Sequence, residues 1–308
     1  MAMEFRLLRS FTEVVRCGGF SQAARSLAST QSTISKAVKQ LENELGTILL
    51  DRSGHRCVMT PAGEVVYRRG IKLLADRDDV LAELDEIRGL QRGVLRLGIP
   101  SVGNIKLFAP VVCTYRERYP QIELRLIEHG SNQLEKHLRA GDIDIAGILE
   151  PQSPDFEWEP IRSKPIVALL SSVHPLSRCG SLKLTDLRDV PFVLFDLGFR
   201  LHGMILNASR KAGFEPTVAV TSSQIDFMIE LVSTNVGVAF LPSEIVDEKH
   251  LQGIVSVPLD EAELAWVMGH AWRRNAYLSD ATVAWMKLMR ETSRPSELYT
   301  CLLYTSDA

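Results

Sequence analysis

The chain has 308 residues, of which 45% are hydrophobic and 24% charged, and its net charge is −3. This length predicts two or three domains, and the composition is that of an ordinary globular protein rather than a disordered one. No stretch is apolar for the length of a membrane span and the N-terminus lacks the apolar core of a secretory signal, so we expect a cytoplasmic protein without a membrane partner.

Three helices are predicted in the first 45 residues. The apolar face of the first is expected to consist of Phe5, Leu8, Phe11 and Val15. Ser21 and Thr30 are placed to cap the second and third helices, because a hydroxyl oxygen accepts from the free N–H groups of a first turn. The short separation of the second and third helices predicts a tight turn between them.

The third helix has two unlike faces. Ile34, Val38 and Leu41 are spaced by four and three residues and form its buried stripe. The other face carries hydroxyls, an amide and lysines: Thr30, Gln31, Ser32, Thr33, Ser35, Lys36 and Lys39. Such a face suits the major groove of double-stranded DNA. An ordinary helical pair with a solvated polar face is the alternative interpretation.

The segment after this helix favours DNA. Residues 48–59 are predicted to form two short strands around a Ser53-Gly54 turn, which makes a wing. Three side chains near its tip are placed to meet phosphates or a minor groove: Arg52, His55 and Arg56. Residues 1–60 contain eight basic and five acidic residues, a local charge of +3, although the whole chain is acidic.

A long helix is predicted from Pro61 to about Gln91, with Thr60 as its cap. Its apolar positions follow a heptad-like spacing: Val66, Leu73, Val80, Leu84 and Ile87. A partner helix from a second subunit would cover this stripe, and two reading helices suit two DNA half-sites. The alternative is a long helix that packs on its own chain.

Strands and helices alternate from Gly93 onward. The strands are predicted at 93–100, 122–126, 143–149, 166–171, 192–195, 218–220, 237–240 and 264–271. The helices are predicted at 104–119, 132–140, 199–212, 223–234 and 279–291. This alternation predicts parallel pairing in two α/β lobes, each with its own sheet.

Ligands of open α/β sheets bind where the strands end and helix N-termini converge. The candidate effector contacts at these ends are Ser101, Val102, His129, Asp196, Phe199, Arg200, Ser222 and Ser223. Hydroxyls, N–H donors and the Arg200 cation favour a small anion, most simply a carboxylate. The alternatives are that the serines only cap helices, that Arg200 pairs with an acid, and that His129 is structural.

Enzymatic chemistry has no signature in the sequence. GxSxG, HExxH and P-loop motifs are absent, so we expect no catalytic residues and no enzyme. The five cysteines are scattered without a CxxC pair, so neither a metal site nor a disulfide framework is expected, and no cofactor is implied. A redox pair of Cys113 and Cys179 is the remaining alternative for the thiols.

The run from Gly18 to Glu64 resembles the winged helix-turn-helix of LysR-type transcriptional regulators. The matching marks are Phe20-Ser21, Ala23-Ala24, Gln31-Ser32, Ser35, Leu41-Glu42, Leu45-Gly46, Leu50, Arg52 and Thr60-Pro61-Ala62-Gly63. The resemblance implies that Gln31, Ser32, Ser35 and Lys36 face the groove and Arg52 the backbone. It also implies a homodimer or homotetramer, an RNA polymerase partner and a periplasmic-binding-protein-like effector domain.

The resulting expectation is a multidomain α/β protein. Residues 1–60 form a winged helix-turn-helix, 61–92 a linker and dimerisation helix, and 93–292 a two-lobed effector domain. Lobe I is expected at about 93–161 and 266–292 and lobe II at about 162–265, while residues 293–308 form a tail of unknown role. The alternative function is a cytoplasmic small-molecule-binding module without a regulatory DNA role, which leaves the basic N-terminal unit unexplained.

Overall fold

The computed structural model describes residues 3–51, 57–87, 93–247, 251–261 and 264–292. One compact unit holds the chain up to Leu90 with Arg139–Asp142, and the other holds Gln91–Leu138 and the chain from Ile143. Within the described residues, no helix is both long and apolar enough to cross a membrane.

The N-terminal unit is helical with a small two-stranded sheet. Its elements are α1 (Phe5–Arg16), α2 (Phe20–Ser26), α3 (Gln31–Leu45), β1 (Leu50–Asp51), β2 (Val58–Met59) and α4 (Pro61–Ile87). β1 and β2 pair antiparallel, as predicted for the wing. The core joins the first three helices through Leu8, Phe11, Ala24 and Val38.

The predicted apolar face of α1 was wrong at its first residue. Phe5 is 46% exposed, whereas Leu7 and Val14 are almost fully buried. The buried arc is rotated because α1 packs against α2, α3 and α4 together. The guanidinium of Arg77 lies 6.0 Å from the centre of the Phe5 ring, within the range of a cation–π contact.

The C-terminal unit alternates strands and helices. Its first elements are β3 (Val94–Pro100), α5 (Asn104–Leu107), α6 (Ala109–Arg118), β4 (Glu123–His129), α7 (Ser131–Ala140), β5 (Ile145–Leu149) and β6 (Phe156–Ser171). The rest are β7 (Phe192–Phe195), α8 (Arg200–Lys211), β8 (Val218–Ser222), α9 (Ile225–Ser233), β9 (Val238–Pro242), α10 (Ser243–Val246), β10 (Ile254–Pro258), β11 (Ala265–Arg273) and α11 (Asp280–Thr292). Two 3₁₀ turns lie at Pro175–Arg178 and Leu184–Leu187.

The single helix predicted over 104–119 is two helices that meet at Phe108. Pro110 lies in the first turn of α6, where its missing N–H costs no hydrogen bond. The Phe108 side chain is 1% exposed and anchors this break in the core.

The prediction of two separate sheets was also wrong, because one long strand belongs to both lobes. β6 has 16 residues. Nine of its first ten positions pair antiparallel with β11, with a bulge at Ile161, and its last six pair with β9 and β10. The strand order β4-β3-β5-β11-β6-β9-β7-β8 is therefore one continuous path.

We call the two halves of this sheet, with their helices, lobe I and lobe II. Lobe I contains β3, β4, β5, β11 and the first part of β6, with α5, α6, α7 and α11. Lobe II contains β7, β8, β9, β10 and the rest of β6, with α8, α9 and α10. The predicted parallel pairing is confirmed at the centre of each lobe, where β3 pairs with β4 and β5, and β7 pairs with β8 and β9.

β11 and α11 complete lobe I from the far end of the chain. The Tyr115 hydroxyl of α6 donates to the Ala281 carbonyl of α11 at 2.8 Å, and both groups are buried. The Trp285 indole N–H donates to Nε2 of His270 on β11 at 3.2 Å. Because burial disfavours the charged imidazole, it lowers the pKa of His270 to about 3.

We expect His270 to make lobe I sensitive to acid. An unfolded chain protonates this imidazole near its ordinary pKa of 6.5, whereas the folded chain resists protonation down to about 3. The free energy of unfolding therefore falls as the pH drops below 6.5, by up to about 1.4 kcal/mol per pH unit. Urea unfolding followed by tryptophan fluorescence measures this, because all four tryptophans lie after residue 150.

His270→Gln is the matched variant, since its amide oxygen can still accept from Trp285. It should lose stability less steeply between pH 7 and pH 5 than the unmodified protein. Equal slopes for the two proteins would contradict this role of His270.

Candidate nucleic-acid interface and ligand cavity

The polar face of α3 is exposed, and its apolar stripe is buried as predicted. Ile34, Val38 and Leu41 are at most 3% exposed. On the opposite side Gln31, Ser32, Thr33, Lys36 and Lys39 are exposed and Ser35 is half-buried. The two faces result from the 3.6-residue repeat, which places apolar and polar positions on opposite sides.

Thr30 caps α3, as predicted. Its hydroxyl oxygen accepts from the Thr33 N–H at 3.2 Å and lies within 3.0 Å of the Ser32 and Thr33 hydroxyls. The predicted cap of α2 was wrong, because that helix begins at Phe20 and Ser21 already lies in its first turn. The Ser21 hydroxyl instead donates to the Gln31 side-chain oxygen at 3.2 Å and links the two helices.

Three residues of the quoted motif hold the wing against the helices. Glu42 accepts from the Leu49 and Leu50 N–H groups at 2.9 and 3.2 Å. The Thr60 hydroxyl donates to the Ile48 carbonyl and accepts from the Gly63 N–H. A Cβ on Gly63 would lie 2.1 Å from the Leu49 carbonyl oxygen, so only glycine fits. The predicted wing contacts Arg52, His55 and Arg56 lie outside the described residues.

Three positions of the predicted seam of α4 are exposed, as are Val65 and Leu81 outside the seam. Leu73, Val80 and Leu84 are 41%, 55% and 44% exposed. Val66 packs on the N-terminal core, and the side chain of Ile87 lies outside the described residues. A stripe of large apolar side chains exposed over three helical turns is typical of an interaction surface.

A cavity of about 820 Å³ lies between lobe I and lobe II, within the size range of small-molecule sites. Five of the predicted effector contacts line it: Ser101, His129, Asp196, Phe199 and Ser223. Nine lining residues were not predicted: Gly103, Glu128, Gly130, Gln133, Gly198, Gln224, Ile225, Asp226 and Ile245. Most of these are immediate neighbours of predicted positions, so the strand-end rule found the loops but not every side chain.

Three predicted contacts do not line this cavity. Val102 is 6% exposed and packs into the core, and the Ser222 hydroxyl accepts from the Gln224 N–H at 3.0 Å. Arg200 is the third, and its guanidinium forms an ion pair with Glu135 of α7. It also donates to the Glu150 carbonyl at 2.6 Å. Two of the three guanidinium nitrogens of the predicted cation therefore bind protein groups, whereas its buried Nε has no hydrogen-bond partner.

Helix N-termini still converge on the cavity, although not at Ser101. Ser101 precedes α5, which has only four residues. Gly130 and Phe199 line the cavity directly before α7 and α8, and α9 begins at the lining residue Ile225. A helix start leaves N–H groups without intrahelical acceptors and carries partial positive charge.

The two lobes touch closely beside the cavity. The Asn132 side chain of α7 donates to the Leu197 carbonyl at 3.0 Å. A Cβ on Gly130 would lie 2.4 Å from the Gly198 carbonyl oxygen, so the absence of a side chain permits this approach. The Arg200 and Glu135 side chains are each 11% exposed, and burial lowers the pKa of Arg200. Because arginine stays protonated at neutral pH, Glu135 is the counter-ion that this buried charge requires.

Within the described ranges, no group of three or more His, Cys, Asp or Glu is placed to hold a metal ion. Cys113 and Cys179 are free thiols.

Glu135→Gln should destabilise the effector domain by about 3 kcal/mol, since it leaves the Arg200 charge buried without a counter-ion. Glu135→Leu combined with Arg200→Met should recover much of this loss, because it removes both charges. Urea unfolding followed by tryptophan fluorescence compares these variants. Glu215→Gln is the control and should change little, since the Arg210–Glu215 pair is more than half exposed. A loss of equal size in the control and in Glu135→Gln would refute the buried counter-ion.

Comparisons with known proteins cover nearly the whole chain. Residues 5–64 match the family described as "Bacterial regulatory helix-turn-helix protein, lysR family", and residues 88–294 match the "LysR substrate binding domain". The chain is 32% identical to the HTH-type transcriptional regulator YwbI of Bacillus subtilis (strain 168), across 92% of this chain and 95% of that protein. It is 30% identical to the transcriptional dual regulator GltC of the same organism, across 90% and 93%.

Its fold is similar to that of a full-length OxyR variant from Pseudomonas aeruginosa. The TM-score is 0.65 at 24% identity, with 96% of each chain covered.

Proposed function

The chain belongs to the LysR family of DNA-binding transcriptional regulators. On this basis we propose a function for α3, for α4 and for the cavity. The exposed face of α3 reads an operator, the apolar face of α4 joins two copies, and the cavity binds a small organic effector. The observation that carries this proposal is the face of α3, whose donors and lysines are exposed beside a fully buried stripe. A regulator acts where its DNA lies, so we place the protein in the cytoplasm.

The readout of bases is assigned to the N-terminal half of α3, around Gln31, Ser32 and Lys36. A helix of this kind lies in the major groove with its first residues against base edges. Gln pairs with adenine and Lys with guanine, whereas hydroxyls serve either base or phosphate. Arg52, His55 and Arg56 are proposed to contact the phosphate backbone from the wing. The alternative function, a small-molecule-binding module without a DNA role, accounts only for residues 93–292.

Lys36→Ala should weaken operator binding about tenfold or more, as expected when one base or phosphate contact is lost. The circular dichroism spectrum should not change, because Lys36 is exposed. A gel shift with a duplex selected from a random library by the unmodified protein measures the affinity. Lys287→Ala, an exposed lysine on α11, is the matched control. Unchanged affinity of Lys36→Ala would remove this face of α3 from the interface.

Self-association is assigned to the face of α4 that carries Leu73, Val80 and Leu84. A long helix gains little from its own apolar stripe in water, and a second copy would bury it. A two-fold pair also presents two copies of α3 to two half-sites of DNA. The seam supports a homodimer, or a homotetramer built from two such pairs.

Leu84→Glu should dissociate the assembly, because a charge would be buried in the helix interface. The variant should keep its helix content, since Leu84 is exposed in the isolated chain. Sedimentation over a range of concentrations gives the mass, with Glu83→Gln at the exposed neighbouring position as the control. Sedimentation at the unmodified mass would place the main interface elsewhere.

The effector is proposed to bind between lobe I and lobe II. The start of α7 at the cavity, whose first turn holds no acidic residue, supports a ligand with a carboxylate group. A ligand that favours one arrangement of the lobes or subunits changes the spacing of the two reading helices. RNA polymerase is the partner through which we propose that this change alters transcription.

A further inference from the structure

The charged groups around the cavity are predominantly acidic. Glu128, Asp196 and Asp226 line it, and none of the lining residues is a lysine or an arginine. His129 is the one basic residue of the lining, and its ring stacks on His137 at 5.5 Å. An effector that was only an anion would therefore lie among like charges.

The arginine beside the cavity does not offset the negative charge of its lining. The guanidinium of Arg200 pairs with Glu135 and donates to the Glu150 carbonyl, and its side chain is 11% exposed. The Nε of Arg200 is buried without a hydrogen-bond partner, but Arg200 does not line this cavity. A ligand could take over the remaining guanidinium contacts only by leaving Glu135 as a buried, unpaired carboxylate. That exchange is costly, so Arg200 is a structural cation of the interface between the lobes.

Two of the three acidic groups belong to lobe II, and one of them neutralises the start of a helix. Asp226 lies in the first turn of α9, where a carboxylate offsets the positive end of the helix dipole. Asp196 lies four residues before α8 and accepts from the Gly198 N–H at 2.8 Å. A carboxylate offers about four lone-pair sites, so each of these groups can accept further hydrogen bonds from a ligand.

Lobe I presents a different environment on its side of the cavity. α7 starts directly after Gly130 and has no acidic side chain in its first turn, although the third acid of the lining, Glu128, lies on β4 three residues before the helix. Ser101 and Gln133 line the cavity beside it with neutral donors. The lobe I side carries one acid beside His129 and the start of α7, whereas the lobe II side carries two acids. A carboxylate group therefore fits the lobe I side better, and a positively charged group fits the lobe II side.

We propose that the effector is an amino-carboxylate, a zwitterion with its two charges bound by different lobes. Asp196 and Asp226 hold its ammonium group, and the N-terminus of α7 holds its carboxylate with Ser101 and Gln133. A ligand with this polarity bridges the lobes through two charge-assisted contacts, which gives it a preference for one lobe arrangement. This inference rests on the proposed effector site and names the chemical class of its ligand.

Matched triplets of ligands test the ammonium group on the full chain. Each triplet consists of an α-amino acid, its 2-hydroxy acid and the amine left after decarboxylation, and the side chain varies across the panel. We expect at least one amino acid to raise the apparent Tm, because a ligand that binds only the folded state stabilises it. Its 2-hydroxy acid and its amine should bind at least about tenfold more weakly by calorimetry, since each lacks one charge-assisted contact.

Asp226→Asn should weaken the binding of that amino acid by about ten- to a hundredfold, the effect of losing one hydrogen bond to a charged group. Asp226 is exposed, so the variant should fold normally, and Asp196→Asn gives a second measurement. Asp189→Asn, an exposed acid of lobe II outside the lining, should bind like the unmodified protein.

The failures of the ligand class and of the proposed site can be told apart. If 2-hydroxy acids bind as well as amino acids, or if both Asn variants bind unchanged, the ammonium contact is overturned. A panel in which no amino acid raises the Tm overturns it too. In the first two cases, if the double variant Ser101→Ala/Gln133→Ala no longer binds the ligand that the unmodified protein binds, the cavity is still supported as the site. Binding that survives all of these substitutions would overturn the cavity itself.

Discussion

The pairing of β6 with strands of both lobes is the constraint on which the effector domain depends. One strand of 16 residues supplies hydrogen bonds to β11 in lobe I and to β9 and β10 in lobe II. Buried backbone groups must be paired, so this strand cannot leave either sheet without a large cost. The two lobes are therefore halves of one hydrogen-bonded path, and the cavity lies where their helix starts face each other.

Beside this shared strand, three contacts join the lobes next to the cavity. The Arg200–Glu135 ion pair, the Asn132 amide and the backbone approach of Gly130 to Gly198 all lie at the starts of α7 and α8. The same segments line the cavity. A ligand bound there, as we propose, would contact the segments that join the two lobes and could favour one lobe arrangement over another.

The N-terminal unit shows which features can be predicted from nearby residues and which depend on contacts between residues distant in the sequence. The helix α3, which we propose reads DNA, was predicted with its cap, its buried stripe and its exposed face, because all of these follow from spacings of three and four residues. The contacts by which Glu42, Thr60 and Gly63 hold the wing against the helices were not predicted. They depend on backbone groups at Ile48, Leu49 and Leu50, which approach only when the wing folds back onto the helices.

The sequence by itself determined the order of the elements, the buried stripe of α3, the apolar positions of α4 and the loops that border the cavity. These follow from hydrophobic periodicity and from the rule that parallel strands end at one edge of a sheet. Only the tertiary structure decided that one strand joins the two lobes, that helix 104–119 breaks at Phe108, and that Phe5 is exposed. It also determined which charged side chains border the cavity. From the sequence, Arg200 was predicted to be a cation available to a ligand. In the structure it pairs with Glu135, which is 65 residues away along the chain. The charged residues that line the cavity are therefore mainly acidic. Pair interactions depend on distance in space and on burial, and neither quantity is encoded in the spacing of residues along the chain.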